Sequence, residues 1–382
     1  MNLRPLGYEP SGHSRLPYPA ITNLLLEHIL AKIHQLNRAA FSSREEEKMI
    51  LILRPGEAFL KSERVRRRWE GYLLRNIREV LEGIEFSIER ERGRIYLETK
   101  SAAALGRLRW VPGITSISPA IRTKATPDLI IREAVKLAKR CLQPGMSFAV
   151  RVRCVDQPFS GRWLEEEIGR RVLSSLEGIR VDLSSPSLTL EVEVRGEKAH
   201  LFWRRVEGMG GLPVGTEGPV SPLCTGKPQE VIAAWYMLKR GCSLRPIILS
   251  SRPERVTAQL EKLRQPMWGF SVPLDLKSWR DLVVGMKTVG ELGRKIGAYA
   301  VVRGEWLEEL SPEVFELDRF CPLPVLRPLV GMNGGTLGEV ASQLRLPEPL
   351  PSALPPKQPL EDVEKAVGEL VRGAKRISIK PW

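Results

Sequence analysis

Between residues 48 and 122 the chain spells out six elements in a fixed order. MILILR (49–54) is a short apolar run of the kind a buried strand shows. SERVRRRWEGYLLRNIREVLEG has helical spacing, with Ser62 at the N-cap and Gly83 just past the end. EFSIERERGRIYLETK alternates about Arg92-Gly93, a hairpin signal. AAALGRLRW reads as a second helix and ITSISPAI as a last strand. The order β-α-β-β-α-β predicts a ferredoxin-like domain over 46–125.

The rest of the chain extends this α/β pattern. Over 126–212, PDLIIREAVKLAKRCL reads as a helix and SFAVRVRCV as an alternating strand. GRWLEEEIGRRVLSSLEG follows as a helix, and LTLEVEVRGEKAHLFWRRV as a hairpin turning at Gly196-Glu197. EGMGGLPVGTEGP (207–219) is glycine-rich and reads as a linker or a loop crossing between domains. From 213 to 346, strands and helices alternate as in a doubly wound parallel sheet. Pro-rich PEPLPSALPPKQP and a final helix occupy 347–382. Residues 1–45 read as an extension: an irregular start, then an amphipathic helix from residue 21. A chain of 382 residues is long enough for several cores.

The five cysteines are scattered, and no pair has metal-ligand spacing, so neither a disulfide framework nor a metal site is expected. No apolar run approaches a membrane span and no secretory leader is visible, so a reduced, cytoplasmic protein is expected. The net charge of +14 is uneven. Residues 1–212 hold 36 Lys and Arg against 26 Asp and Glu; the remainder holds 23 against 19. A polyanion bound mainly by the first half would account for this, and so would a surface dense in charge of both signs.

The helix that begins at Ser62 concentrates that charge. Val65, Trp69, Leu73, Asn76 and Val80 share one face; Arg64, Arg67, Arg68, Arg75 and Arg78 share another, with Lys61 and Arg66 adjacent. Guanidinium forks suit phosphate. Glu63, Glu70 and Glu79 leave open the reading of a solvated face. Arg151, Arg153, Arg162, Arg170, Arg204 and Arg205 form a second basic set with Trp163 and Trp203 among them. These tryptophans suit either stacking on bases or a core.

LILRPGEAFLKSERVRRRW, GMGGLPVGTEG, AAWYMLKRGC, GAYAVVRGEWLEEL and PVLRPLVGM resemble, in order, landmarks of the tRNA 4-thiouridine synthetase (tRNA sulfurtransferase) family. The resemblance covers about 48 to 340. It implies a ferredoxin-like domain, a THUMP RNA-binding domain and a Rossmann-like PP-loop domain with a parallel sheet. It further implies tRNA as partner, ATP with magnesium as cofactor, and sulfur delivery from a persulfidic cysteine.

The nucleotide loop departs from that family's pattern. Where the family has S-G-G-x-D-S, this chain has Thr225-Gly226-Lys227-Pro228-Gln229-Glu230. Lys227 replaces the glycine that lets backbone approach phosphate. Glu230 places a carboxylate in a helix first turn, where it competes with phosphate. Pro222 falls in a strand expected to be central, a position proline tolerates badly. Further on, Arg303-Gly304-Glu305 stands for the family's T-G-E, and Gly334 for a lysine near the pyrophosphate. LRLPEPLPSALPP has no cysteine where the family carries its relay thiol. The expectation is a tRNA-binding member whose loop, comprising Thr225, Gly226, Lys227, Gln229 and Glu230 with Gly304 and Glu305, is a vestige. On this reading it uses no cofactor, and an active paralogue or a second copy is its protein partner. The alternative is a working ATP-dependent sulfurtransferase with an atypical loop.

Overall fold

The structure, a computed structural model, describes residues 49–56, 62–91, 93–155 and 158–382. The helix expected from residue 21, and Lys61, lie outside the described residues. The first elements are β1 (Met49–Pro55), α1 (Glu63–Val80), β2 (Phe86–Glu91), β3 (Arg94–Thr99), α2 (Ala103–Leu108) and β4 (Ile114–Lys124). β1 lies between β3 and β4 and runs antiparallel to both, with Leu51 opposite Leu97 and Pro119. The apolar stripe of α1 is turned inward: Leu73, Ile77 and Val80 are buried, as are Leu51 and Leu53.

Next come α3 (Pro127–Cys141), β5 (Ser147–Val155), α4 (Gly161–Ser175), β6 (Arg180–Val181), β7 (Leu188–Arg195), β8 (Lys198–Phe202) and β9 (Val206–Glu207). β4 outruns the strand that ITSISPAI predicts, because its second half finds a new partner. Residues up to Ala120 pair with β1, and Ile121 to Lys124 pair with β8. One nine-stranded sheet results, in the order β2-β3-β1-β4-β8-β7-β5-β6, with β9 on β4.

The sheet curls, so that β3 meets β7 across three intervening strands. Arg94 makes a bidentate contact with Glu193 at 3.0 Å, Arg54 reaches the same carboxylate at 3.4 Å, and Tyr96 stacks on His200 at 4.3 Å. Glu193, His200 and Arg54 are buried there beside Ile52 and Phe202. Arg94 and Arg54 pull the Glu193 carboxyl below its usual range although burial pushes it up.

The third layer holds β10 (Pro219–Cys224), α5 (Pro228–Lys239), β11 (Ser243–Leu244), β12 (Ile247–Leu249), α6 (Pro253–Leu260), β13 (Met267–Val272), α7 (Trp279–Lys295), β14 (Ala300–Val302), α8 (Pro312–Asp318), β15 (Val325–Leu326), α9 (Gly334–Leu344), α10 (Val363–Gly373) and β16 (Lys375–Ile379). The order is β15-β14-β10-β12-β13-β16, parallel except for β16, with β11 on β10. The sequence pattern ends in a helix; the structure adds β16 as an antiparallel edge strand on β13. LRPLVGM (326–332) has the apolar pattern of a strand, but β15 ends at its first residue, Leu326, and the chain then turns.

Pro222 is central after all. On one side β10 pairs with β11 through Pro219 and Val220 and with β12 through Leu223 and Cys224, so there the proline falls between two ladders; on the other side it stands opposite Val302 of β14. The glycine-rich segment is a pinned crossing rather than a slack tether. Leu212 N donates to Lys239 O at 2.9 Å, Gly215 N donates to Gly241 O at 2.8 Å, and Asn76 of α1 donates to Val214 O at 3.2 Å. Gly211 has φ +72, and a Cβ there would lie 2.2 Å from Lys239 O, so only glycine fits.

Candidate nucleotide loop and nucleic-acid interface

β10 emerges between β12 and β14, where the strand order reverses, and its C-terminal end opens into a crevice. Thr225 and Gly226 turn the chain, Lys227 is the N-cap of α5, and Pro228 takes its first position. Such a turn directs unpaired N–H groups at one point. Here the Glu230 carboxylate occupies that point. Oε2 accepts from Thr225 N at 2.6 Å, Gly226 N at 3.1 Å and Lys227 N at 3.1 Å, and Oε1 accepts from the Thr225 hydroxyl at 2.7 Å. Burial raises the Glu230 carboxyl above its usual range, opposed by the Thr225 hydroxyl and backbone bonds.

The Pro-rich segment after α9 lies over this turn. Lys227 Nζ donates to Ser352 Oγ at 2.8 Å. Glu309 Oε1 accepts from Ser352 N at 3.1 Å, Ser352 Oγ at 2.7 Å and Gln229 Nε2 at 3.2 Å. Gly304 closes the other wall, where a Cβ would sit 2.8 Å from Glu230 N. Glu305 pairs with Arg303 and, at 3.3 Å, with Arg327, which also holds Asp318 at 2.7 Å. All seven loop residues named from the sequence line one cleft of about 420 Å³. Ser352, which also lines it, carries no recognisable signal in the sequence; Arg303 and Glu309 lie in the GAYAVVRGEWLEEL landmark but were not expected to line the site, and the fold brings all three there. Gly334 does not line the cleft and lies against Trp306.

The thiols are quiet. Burial raises all five: Cys141 to about 12, Cys242 to about 11, Cys224 well above its ordinary value, and Cys154 and Cys321 as well. A raised thiol holds little of the nucleophilic thiolate at neutral pH.

The α1 cations divide by partner. Arg64, Arg67, Arg68, Arg75 and Arg78 are exposed, on the side away from Leu73, Asn76 and Val80. Arg67 pairs with Glu63 at 2.5 Å, and the half-buried Arg66 pairs with Glu70 at 3.8 Å. Arg68 and Arg75 flank the Tyr72 ring at 5.7 and 5.2 Å. In the second basic set, Arg151 and Arg153 are exposed on β5. Arg151 donates to Leu183 O at 2.7 Å. On α4, Arg162 pairs with Glu166 at 3.2 Å and Arg170 with Glu167 at 2.5 Å. Arg205 pairs with Glu191 at 2.7 Å, while burial and nearby Arg109 lower the half-buried Arg204. Trp163 is 46% exposed, whereas Trp203 packs against the core under α3 and α4. Among the described residues, no helix is long and apolar enough to cross a membrane.

Residues 49–118 match the ThiI ferredoxin-like domain and residues 124–204 the THUMP domain. A probable tRNA sulfurtransferase of Macrococcus caseolyticus is 30% identical over 317 residues, covering 74% of this chain and 79% of its own. That of Thermoanaerobacter pseudethanolicus is 28% identical over 327 residues, covering 77% and 85%. Among solved structures, PH1313 from Pyrococcus horikoshii Ot3 shares 28% identity at a TM-score of 0.65 over 78% of this chain and 100% of its own. A 4-thiouridine synthetase solved with RNA and bound ATP has the same fold at a TM-score of 0.73, with 22% identity, over 87% of this chain and 100% of that one. The chain belongs to the tRNA sulfurtransferase family.

Proposed function

We propose that this protein binds tRNA and serves tRNA modification without adenylating the RNA itself, in concert with an active paralogue. The Glu230 carboxylate seated in the N–H cradle carries this reading. A triphosphate would need those donors, and a carboxylate among them repels it. Pro228 has no N–H to offer, and the Lys227 ammonium, which could itself meet a phosphate, is tied to Ser352. The raised thiols and the absence of a cysteine from residues 346–355 support the same reading for sulfur transfer. The THUMP match, the net charge of +14 and the exposed α1 arginines support RNA binding.

A second reading, an active sulfurtransferase with an atypical loop, draws on the open cleft of about 420 Å³ and on the names of the relatives. It requires Glu230 to leave the cradle. Pyrophosphate release on incubation with ATP, magnesium and unmodified tRNA separates the two: none is expected, and tRNA-dependent release overturns the first reading in favour of the second.

A further inference from the structure

The arginine row of α1 does not end in open solvent. From Arg64 to Arg78 it runs about 21 Å along the helix, at 1.5 Å per residue. Arg78 then lines a groove of about 940 Å³ between the C-terminal half of α1 and β11, β13 and β16. Arg245, Arg376 and Lys380 line the same groove. Trp268 fixes two of these cations: the Arg245 guanidinium lies 5.3 Å and that of Arg376 4.7 Å from its ring. Cation–π contact holds an arginine in place without neutralising it. Among the described residues, Arg78, Arg245 and Arg376 form no ion pair, in contrast to Arg54, Arg94, Arg122, Arg303 and Arg327. The groove's carboxylates are Glu79 and Glu82, and Glu82 is engaged by Lys380 at 3.3 Å.

We propose that this groove is a second track for RNA backbone, continuing the α1 arginine row so that one strand of bound tRNA lays phosphates against Arg78, Arg245 and Arg376. The inference rests on the RNA-binding reading and adds the third layer to the interface. Charge decides the occupant: two further unpaired guanidinium groups in the groove where a helix-long row of the same sign ends at Arg78 suit a regularly charged polymer. The sequence alone does not show this site, because its members come from three distant segments and KRISI continues a helical pattern rather than announcing an edge strand.

The test measures binding of an unmodified tRNA transcript to the full chain by fluorescence anisotropy, from about 50 to about 200 mM salt. The pair Arg245→Gln/Arg376→Gln removes two cations. Affinity at low salt should fall at least tenfold, and the log–log salt slope should become shallower by about two, since each lost phosphate contact removes nearly one unit. Arg245→Lys/Arg376→Lys keeps both charges over Trp268 and should stay near the parent, which separates charge from folding. The exposed control pair Arg255→Gln/Arg294→Gln, outside the groove, should change little. The groove is overturned if the Gln pair keeps the parent's affinity and slope, or if the Lys pair loses as much as the Gln pair. If the parent itself does not bind the transcript, the RNA-binding reading fails with it; loss of binding when Arg64, Arg67 and Arg68 are changed to Ala, with none in the Gln pair, leaves that reading standing and removes the groove.

Discussion

His200 stacks on Tyr96, and its Nε2 accepts from Arg122 Nε at 3.2 Å, which leaves the proton on Nδ1. It is fully buried. Burial, then Arg122, lowers its pKa to about 4, with Glu193 and Glu89 pulling upward and Lys198 downward. The unfolded chain binds this proton near pH 6.5 and the folded one only near 4, so stability falls as pH drops through that window. At pH 5 this residue alone should lower stability by about 2 kcal/mol relative to pH 7. Urea melts of His200→Gln should show a smaller difference between pH 7 and pH 5 than the parent; an equal difference would mean that other groups cause the loss. Glu230 was legible in the sequence as a carboxylate in a helix first turn. That it folds back onto Thr225, Gly226 and Lys227 was not, because side-chain direction there depends on the close approach of Gly304, which comes from a distant strand end.

At the scale of elements, α1 was readable because a 3.6-residue period separates Leu73, Asn76 and Val80 from Arg64, Arg75 and Arg78. Replacing Arg64, Arg67 and Arg68 with Ala should weaken tRNA binding and reduce its salt slope by about two to three. Filter binding at several salt concentrations checks this, and an unchanged slope would remove α1 from the interface. The curl of the large sheet was not readable. Arg54 ends an apolar run, Arg94 opens a strand and Glu193 alternates with valines, so nothing local joins them; only the return of β7 over β3 brings them together. Nor was the length of β4, since a strand shared by two partners shows no break in its own pattern. β16 escaped because a five-residue strand rich in charge has too short a period to register.

Across the whole molecule, the RNA-binding front and the crevice are separable claims. None of the five cysteines lines the crevice, and burial raises each of them. A variant with all five changed to Ser or Ala should therefore bind tRNA with the parent's affinity; Cys224 and Cys242 are best made Ala, since a buried unpartnered hydroxyl costs roughly 1–3 kcal/mol. Mass spectrometry after exposure to a cysteine desulfurase should find no persulfide on the parent, and a persulfide on any one of the five would restore sulfur relay to this chain.

If Glu230 holds the donors a triphosphate needs, calorimetric titration of the full protein with ATP and magnesium, with and without tRNA, should give no saturable heat in either titration. Stoichiometric ATP binding that is abolished by Gly304→Val, a change that crowds the loop wall beside Glu230 N, would contradict it and show that the carboxylate gives way to phosphate.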